Sequence, residues 1–89
     1  LAAWPLPYKG GAMNVSFVIP SRGGAAEINM IDLAGRHVRT LLRGTAEAGR
    51  QVISWDGHDD AGRNVANGVY FLVSRVGGQE SKLKLVVLR

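Results

Sequence analysis

Apolar and polar positions alternate with a period of two along most of this chain, and the elements predicted are strands. Asn14 to Ile19 sets Val15, Phe17 and Ile19 against Asn14, Ser16 and Val18, and Pro20-Ser21-Arg22-Gly23-Gly24 stops it with turn chemistry. Glu27 to Leu33 gives a second strand with Ile28 and Met30 on one face. Asp32-Leu33-Ala34-Gly35-Arg36 reads as a tight hairpin with Gly35 as its left-handed residue, and His37 to Leu42 as the third strand. Arg43 to Gly49 reads as a connection, with a brief helix over Thr45 to Ala48. Arg50 to Asp56 turns Gln51, Ile53 and Trp55 to one side. Val69 to Val76 is a fifth strand rich in β-branched and aromatic residues. Gly77-Gly78 then turns the chain into a sixth, Glu80 to Leu88, with Leu83, Leu85 and Val87 inward.

The segment between Trp55 and Tyr70 organises the rest. Asp56-Gly57, Ala61-Gly62 and Asn67-Gly68 punctuate it with turns, and its two large aromatics fix where the loop leaves and rejoins the core. No apolar pattern of helical period extends over any length. The fold class expected is all-β: an antiparallel immunoglobulin or fibronectin type III-like β-sandwich of six to seven strands. Residues 1–12, with two prolines around Leu6, form a leading segment that Trp4 and Tyr8 pack onto the domain. No internal repeat is read along the chain.

Composition narrows the class. Eighty-nine residues make one small domain with a thin core. Hydrophobic content of 46% with 20% charge belongs to a folded globule. The absence of cysteine rules out disulfides and thiolate metal sites. The chain opens on Leu1, not Met, so the expectation is a processed or excised piece of something longer. No apolar run is long enough for a membrane-spanning helix. Net charge is +4, but the cations are spread from Lys9 to Arg89 with acids among them, so nucleic acid is not an expected partner.

Candidate chemistry is sparse. Only His37 and His58 could serve as a base for a nucleophile; His58 has Asp59 and Asp60 to orient it but no Ser in its loop, so no enzymatic activity is expected. Asp56, Asp59 and Asp60 are candidate calcium ligands, since calcium takes oxygen ligands from Gly-punctuated loops, although the spacing is not that of an EF-hand. The alternative is that these aspartates accept backbone N–H bonds and cap turns. The paired glycines lack the following helix that a phosphate cradle needs. A sugar platform would draw on Trp4 and Tyr8, the other aromatics being assigned mostly to the core.

Several motifs occur in one order: Ile31-Asp32-Leu33-Ala34-Gly35-Arg36-His37-Val38-Arg39-Thr40-Leu41, Ala48-Gly49, Trp55-Asp56-Gly57, Asp60-Ala61-Gly62-Arg63 and Asn67-Gly68-Val69-Tyr70-Phe71. This series resembles the immunoglobulin-like domain named after the flagellar hook-capping protein. It is similar too to the C-terminal sorting domains of type IX secretion cargo in Bacteroidetes. Pro5-Leu6-Pro7-Tyr8 resembles the Pro-Asn-Pro-Phe opening of the sorting domains, with Leu6 in place of Asn. Lys82 to Arg89 resembles their last strand.

The resemblance implies a non-catalytic sandwich without a cofactor, secreted or at the cell surface. It would act as a sorting or accessory domain, with upstream domains of its own chain and outer-membrane secretion machinery as partners. A spacer or hook-cap-type assembly module is the alternative, and a sugar- or calcium-binding module a further one. The motif residues Asp32, Gly35, Trp55, Asp56, Gly57, Gly62, Gly68 and Tyr70 are expected to hold the fold.

Overall fold

The computed structural model describes residues 1–89 as seven strands and no helix. They are β1 (Ala2–Trp4), β2 (Met13–Ile19), β3 (Gly24–Asp32), β4 (His37–Ala46), β5 (Gly49–Trp55), β6 (Gly68–Val76) and β7 (Gln79–Val87). They form two antiparallel sheets, β1-β2-β5 and β4-β3-β6-β7, packed face to face. This is the expected sandwich, with three strands on four.

The alternation read from the sequence decides which faces meet. Val15, Phe17 and Ile19 of β2, Ile28 and Met30 of β3, Leu72 of β6, and Leu85 and Val87 of β7 are buried in one cluster around Trp55. The β3–β4 hairpin turns over Asp32–Arg36, with Gly35 at φ 85° as its left-handed residue.

Three expectations change. Residues Arg43 to Ala46 are not a connection: β4 runs on to Ala46, pairing Arg43 with Glu27 and Ala46 with Gly24, so no helix forms over Thr45 to Ala48. The long β3 partner supplies ladder bonds that a single helical turn could not match. The leading segment contains a strand of its own, β1, paired with β2 from Ala2↔Ser16 to Trp4↔Asn14. After it the chain changes sheets. Tyr8 N–H donates to the Val86 carbonyl and Leu88 N–H to the Tyr8 carbonyl, a short parallel bridge along β7.

The aromatics also sort differently. Tyr8 is buried, its ring centroid 4.8 Å from that of Trp55, while Trp4 is exposed. Phe71 lies outside the core, on the outer face of the four-stranded sheet, because Tyr70 and Leu72 take the inward positions of β6. Trp4 and Phe71 therefore stand on different sheets, and no row of surface aromatics forms.

Candidate functional site

The loop from Asp56 to Asn67 leaves β5 behind Trp55 and lies along the free edge of β4. Its contacts begin with the backbone: Asp60 N–H donates to the Val38 carbonyl, and Thr40 N–H returns a bond to Asp60 Oδ1 at 3.0 Å. Trp55 Nε1 donates to the His58 carbonyl at 3.0 Å, which ties the loop to the core residue that precedes it. Arg39 Nη1 donates to that same carbonyl at 2.8 Å and to Asp56 Oδ1 at 2.9 Å.

Each candidate calcium ligand is thus already occupied. Asp56 Oδ1 accepts the His58 N–H, and Oδ2 faces His58 Nδ1 at 3.2 Å. The His58 N–H first, then the His58 ring and the Arg39 guanidinium, hold the Asp56 carboxyl at a pKa of about 2. Asp60 Oδ2 meets His37 Nε2 at 2.7 Å, and the Thr40 N–H before the His37 ring lowers its pKa. Asp59 turns the other way, taking the Ala61 and Arg63 N–H groups on Oδ1. Asp56 and Asp60 converge on Arg39, at 2.9 and 3.9 Å, so a guanidinium holds the place between them. No three acids or histidines form a cluster that could hold a metal ion.

The histidines pair differently from the order along the chain. Asp56, not Asp59 or Asp60, faces His58, while Asp60 faces His37 from 23 residues away. Thr40 Oγ1 also lies 3.3 Å from His37 Nε2, which brings a hydroxyl, an imidazole and a carboxylate together. Hydroxyl and carboxylate sit on the same ring nitrogen, whereas a relay needs them on opposite ones. Thr40 Oγ1 moreover donates to Asn29 Oδ1 at 3.0 Å. The geometry builds a brace, not a nucleophile.

A short repeat emerges that the sequence reading missed. Asp32-Leu33-Ala34-Gly35-Arg36 and Asp59-Asp60-Ala61-Gly62-Arg63 are both Asp-x-Ala-Gly-Arg. Both fold the same way. The Asp and Arg backbones bond across the turn, the Gly N–H donates to the Asp carbonyl, and Asp Oδ1 accepts two further N–H groups. Each Arg then reaches back to its Asp, at 2.9 and 3.5 Å. In each turn the Arg N–H is the largest cause of a lowered Asp pKa. Aligning the two pentapeptides would have revealed this.

The profile of the FlgD Ig-like domain matches residues 6–76. The chain belongs to the FlgD Ig-like domain family. Both Asp-x-Ala-Gly-Arg turns fall inside the region that this FlgD-type profile covers, while β1 and β7 fall outside it.

Among solved structures, the FlgD-like chain is similar to part of dimeric latent PorU from Porphyromonas gingivalis. The TM-score is 0.75 at 20% identity, over 98% of this chain and 9% of that one. It is also similar to FlgD from P. aeruginosa, with a TM-score of 0.63 at 24% identity over 82% of this chain and 58% of that one. It therefore spans a small part of the first protein and less than two thirds of the second, and the likeness is one of fold. Comparison with curated proteins gives no match.

Tyr70, a further motif residue, serves the same corner. Tyr70 Oη donates to the Ala66 carbonyl at 2.6 Å, a tyrosine corner at the start of β6. Beyond β7, Arg89 closes the loop from the far side. Its guanidinium donates to the Gly57 and Val65 carbonyls at 2.8 Å each and lies over the Tyr8 ring. Neither Tyr8 nor Arg89 was singled out by sequence reasoning as a member of this corner.

Proposed function

We propose that this chain is a non-catalytic C-terminal β-sandwich of a secreted bacterial protein, serving as its sorting or accessory domain. One observation carries the reading: the loop's acids and histidines are bonded to turns and to the β4 edge. Asp56, Asp59 and Asp60 satisfy backbone N–H groups, and Arg39 and Arg63 neutralise them. A corner built this way stabilises a module and performs no chemistry. The likeness to a segment of PorU supports a place beside a larger functional body. The partners proposed are upstream domains of the same chain and the export machinery of the outer membrane.

The family match and the FlgD structure favour a second reading, a module that helps build an extracellular assembly. Intact mass spectrometry of the parent protein, in culture medium and cell envelope, tests the first. A sorting domain predicts that exported parent lacks residues 1–89 and that deleting them retains the parent inside the cell. Export of the shortened parent at an unchanged rate would leave the accessory role and remove the sorting one.

A further inference from the structure

The outer face of an antiparallel sandwich sheet is ordinarily polar. The four-stranded sheet departs from this. β6 turns Val69, Phe71 and Val73 outward, with Ile31 of β3 beside Phe71 and Val86 of β7 beside Val69. All five are only part-covered, and none belongs to the core or packs against it. Next to this apolar block, register aligns Arg43, Glu27, Arg75 and Glu80 across the four strands, a row of alternating charge. Within the row Arg43 lies 3.6 Å from Glu27, and Arg75 3.8 Å from Glu80. Lys82 and Lys84 lie along β7 beside Val73 and Phe71, while on the β4 margin the Asp60 carboxylate is paired with His37 and lies 3.9 Å from Arg39.

A row of four alternating charges, read backwards, sets an opposite charge over each of its members. We propose that this face joins two copies of the chain, their four-stranded sheets stacked about a two-fold axis that runs between β3 and β6, within about 15° of the strand direction. The rotation lays β7 of one copy over β4 of the other. Glu80 then meets Arg43 of the second copy, Arg75 meets Glu27, and Phe71 meets Ile31. The lysine margin comes over the margin that carries Asp60. Cross-strand pairing within one chain accounts for the alternation of the row. It does not account for the apolar block beside it, and a second copy accounts for both.

Burial of Asn29 at the centre leaves few unmet bonds, since its Nδ2 donates to Glu27 Oε1 at 2.8 Å and its Oδ1 accepts from Thr40. Stacked sheets incline by about 30°, so the registry is closest at the axis, where Ile31, Phe71, Glu27 and Arg75 lie. Four strands spaced about 4.8 Å apart give a footprint of roughly 20 by 20 Å, hence on the order of 1,000 Å² of surface covered in the pair. That is the size of a weak, reversible contact rather than an obligate one.

Sedimentation velocity over a concentration series up to the millimolar range tests the pairing, with circular dichroism to verify folding. The wild type is expected to pass from monomer to dimer, and added salt to weaken the dimer. Glu80→Arg sets two cations against each other across the axis and is expected to keep the chain monomeric throughout. Adding Arg43→Glu restores opposite charges between copies while placing like charges side by side within each sheet. A dimer regained in that double variant, despite a less stable monomer, marks a contact between copies. A wild type that stays monomeric, or a dimer indifferent to Glu80→Arg and to Phe71→Ser, overturns the proposal.

Discussion

A Cβ built on Gly57, which sits at φ 85°, would run into the Tyr8 hydroxyl and come within 2.6 Å of the Arg89 guanidinium. Gly35 has the same φ but open space around it. The pair separates backbone strain from crowding. Gly35→Ala is expected to cost about 1–2 kcal/mol, the penalty of a left-handed L-residue. Gly57→Ala should add a further ~2 kcal/mol for the displaced side chains, and urea denaturation of both variants measures the difference. Equal costs would mean that Tyr8 and Arg89 move aside freely. Trp55 is fully buried against Tyr8, so Trp55→Ala should cost about 3–5 kcal/mol by the same measurement. The aspartates set the acid limit. Asp32, Asp56, Asp59 and Asp60 all titrate below the ordinary carboxylate range in the folded chain, Asp56 at about 2. The folded state therefore binds their protons less readily than the unfolded one, where Asp titrates near ~3.9. The stability they contribute is whole above about pH 4 and is lost as the pH falls from there toward about 2. Thermal melts across that window should show the decline, and Asp56→Asn should make it shallower. A wild-type melting temperature level down to about pH 2 would contradict the assignment of these carboxylates as ionised braces.

Strands were legible wherever one face of an element meets the core and the other meets water. The alternation in β2, β5 and β7 named Val15, Phe17, Trp55, Leu85 and Val87 as inward, and they are buried. Reading failed where a partner strand, rather than local pattern, decides the outcome. Arg43 to Ala46 is polar and Gly-interrupted, yet β3 holds it as strand through four pairings. β1 is three residues long and exists through β2 alone. Tyr8 packs the leading segment onto the domain as expected and so is lost to a sugar platform. Trp4 is exposed and Phe71 falls outside the core, because aromaticity signals burial without saying which face a register grants. The loop's acids were legible as turn residues, but Arg39, which meets two of them, comes from a strand seventeen or more residues earlier, beyond the reach of spacing arguments. The leading segment gives the sharpest contrast between its two aromatics. Tyr8→Ala should cost about 3–4 kcal/mol in chemical denaturation, since it empties a fully buried site against Trp55. Trp4→Ala, at an exposed position on β1, should stay within about 1 kcal/mol of wild type. Similar losses for both would mean that β1 contributes through Trp4 as much as the segment contributes through Tyr8.

The whole molecule is two sheets laced together by a chain that visits both before its first long strand. Residues 2–4 belong to the three-stranded sheet, and Tyr8 to the edge of the four-stranded one. Loop and strands then close on the same corner from opposite ends of the sequence, where Arg89 reaches Gly57 and Val65. That closure makes most stabilising contacts distant in sequence, which favours slow, cooperative folding. The parallel bridge between Tyr8 and Val87 has a mechanical meaning as well. If the domain is tethered at both ends and stretched, the two parallel segments are drawn past one another. The Tyr8–Val86 and Leu88–Tyr8 bonds then carry the load together instead of unzipping one at a time. Tension along the chain would meet a shear clamp at the place where the first and last segments lie side by side. In single-molecule stretching, Leu88→Pro, which removes one of the two donors at an exposed side chain, should lower the rupture force. A domain so built would pass a pull from its neighbours through its body without coming apart.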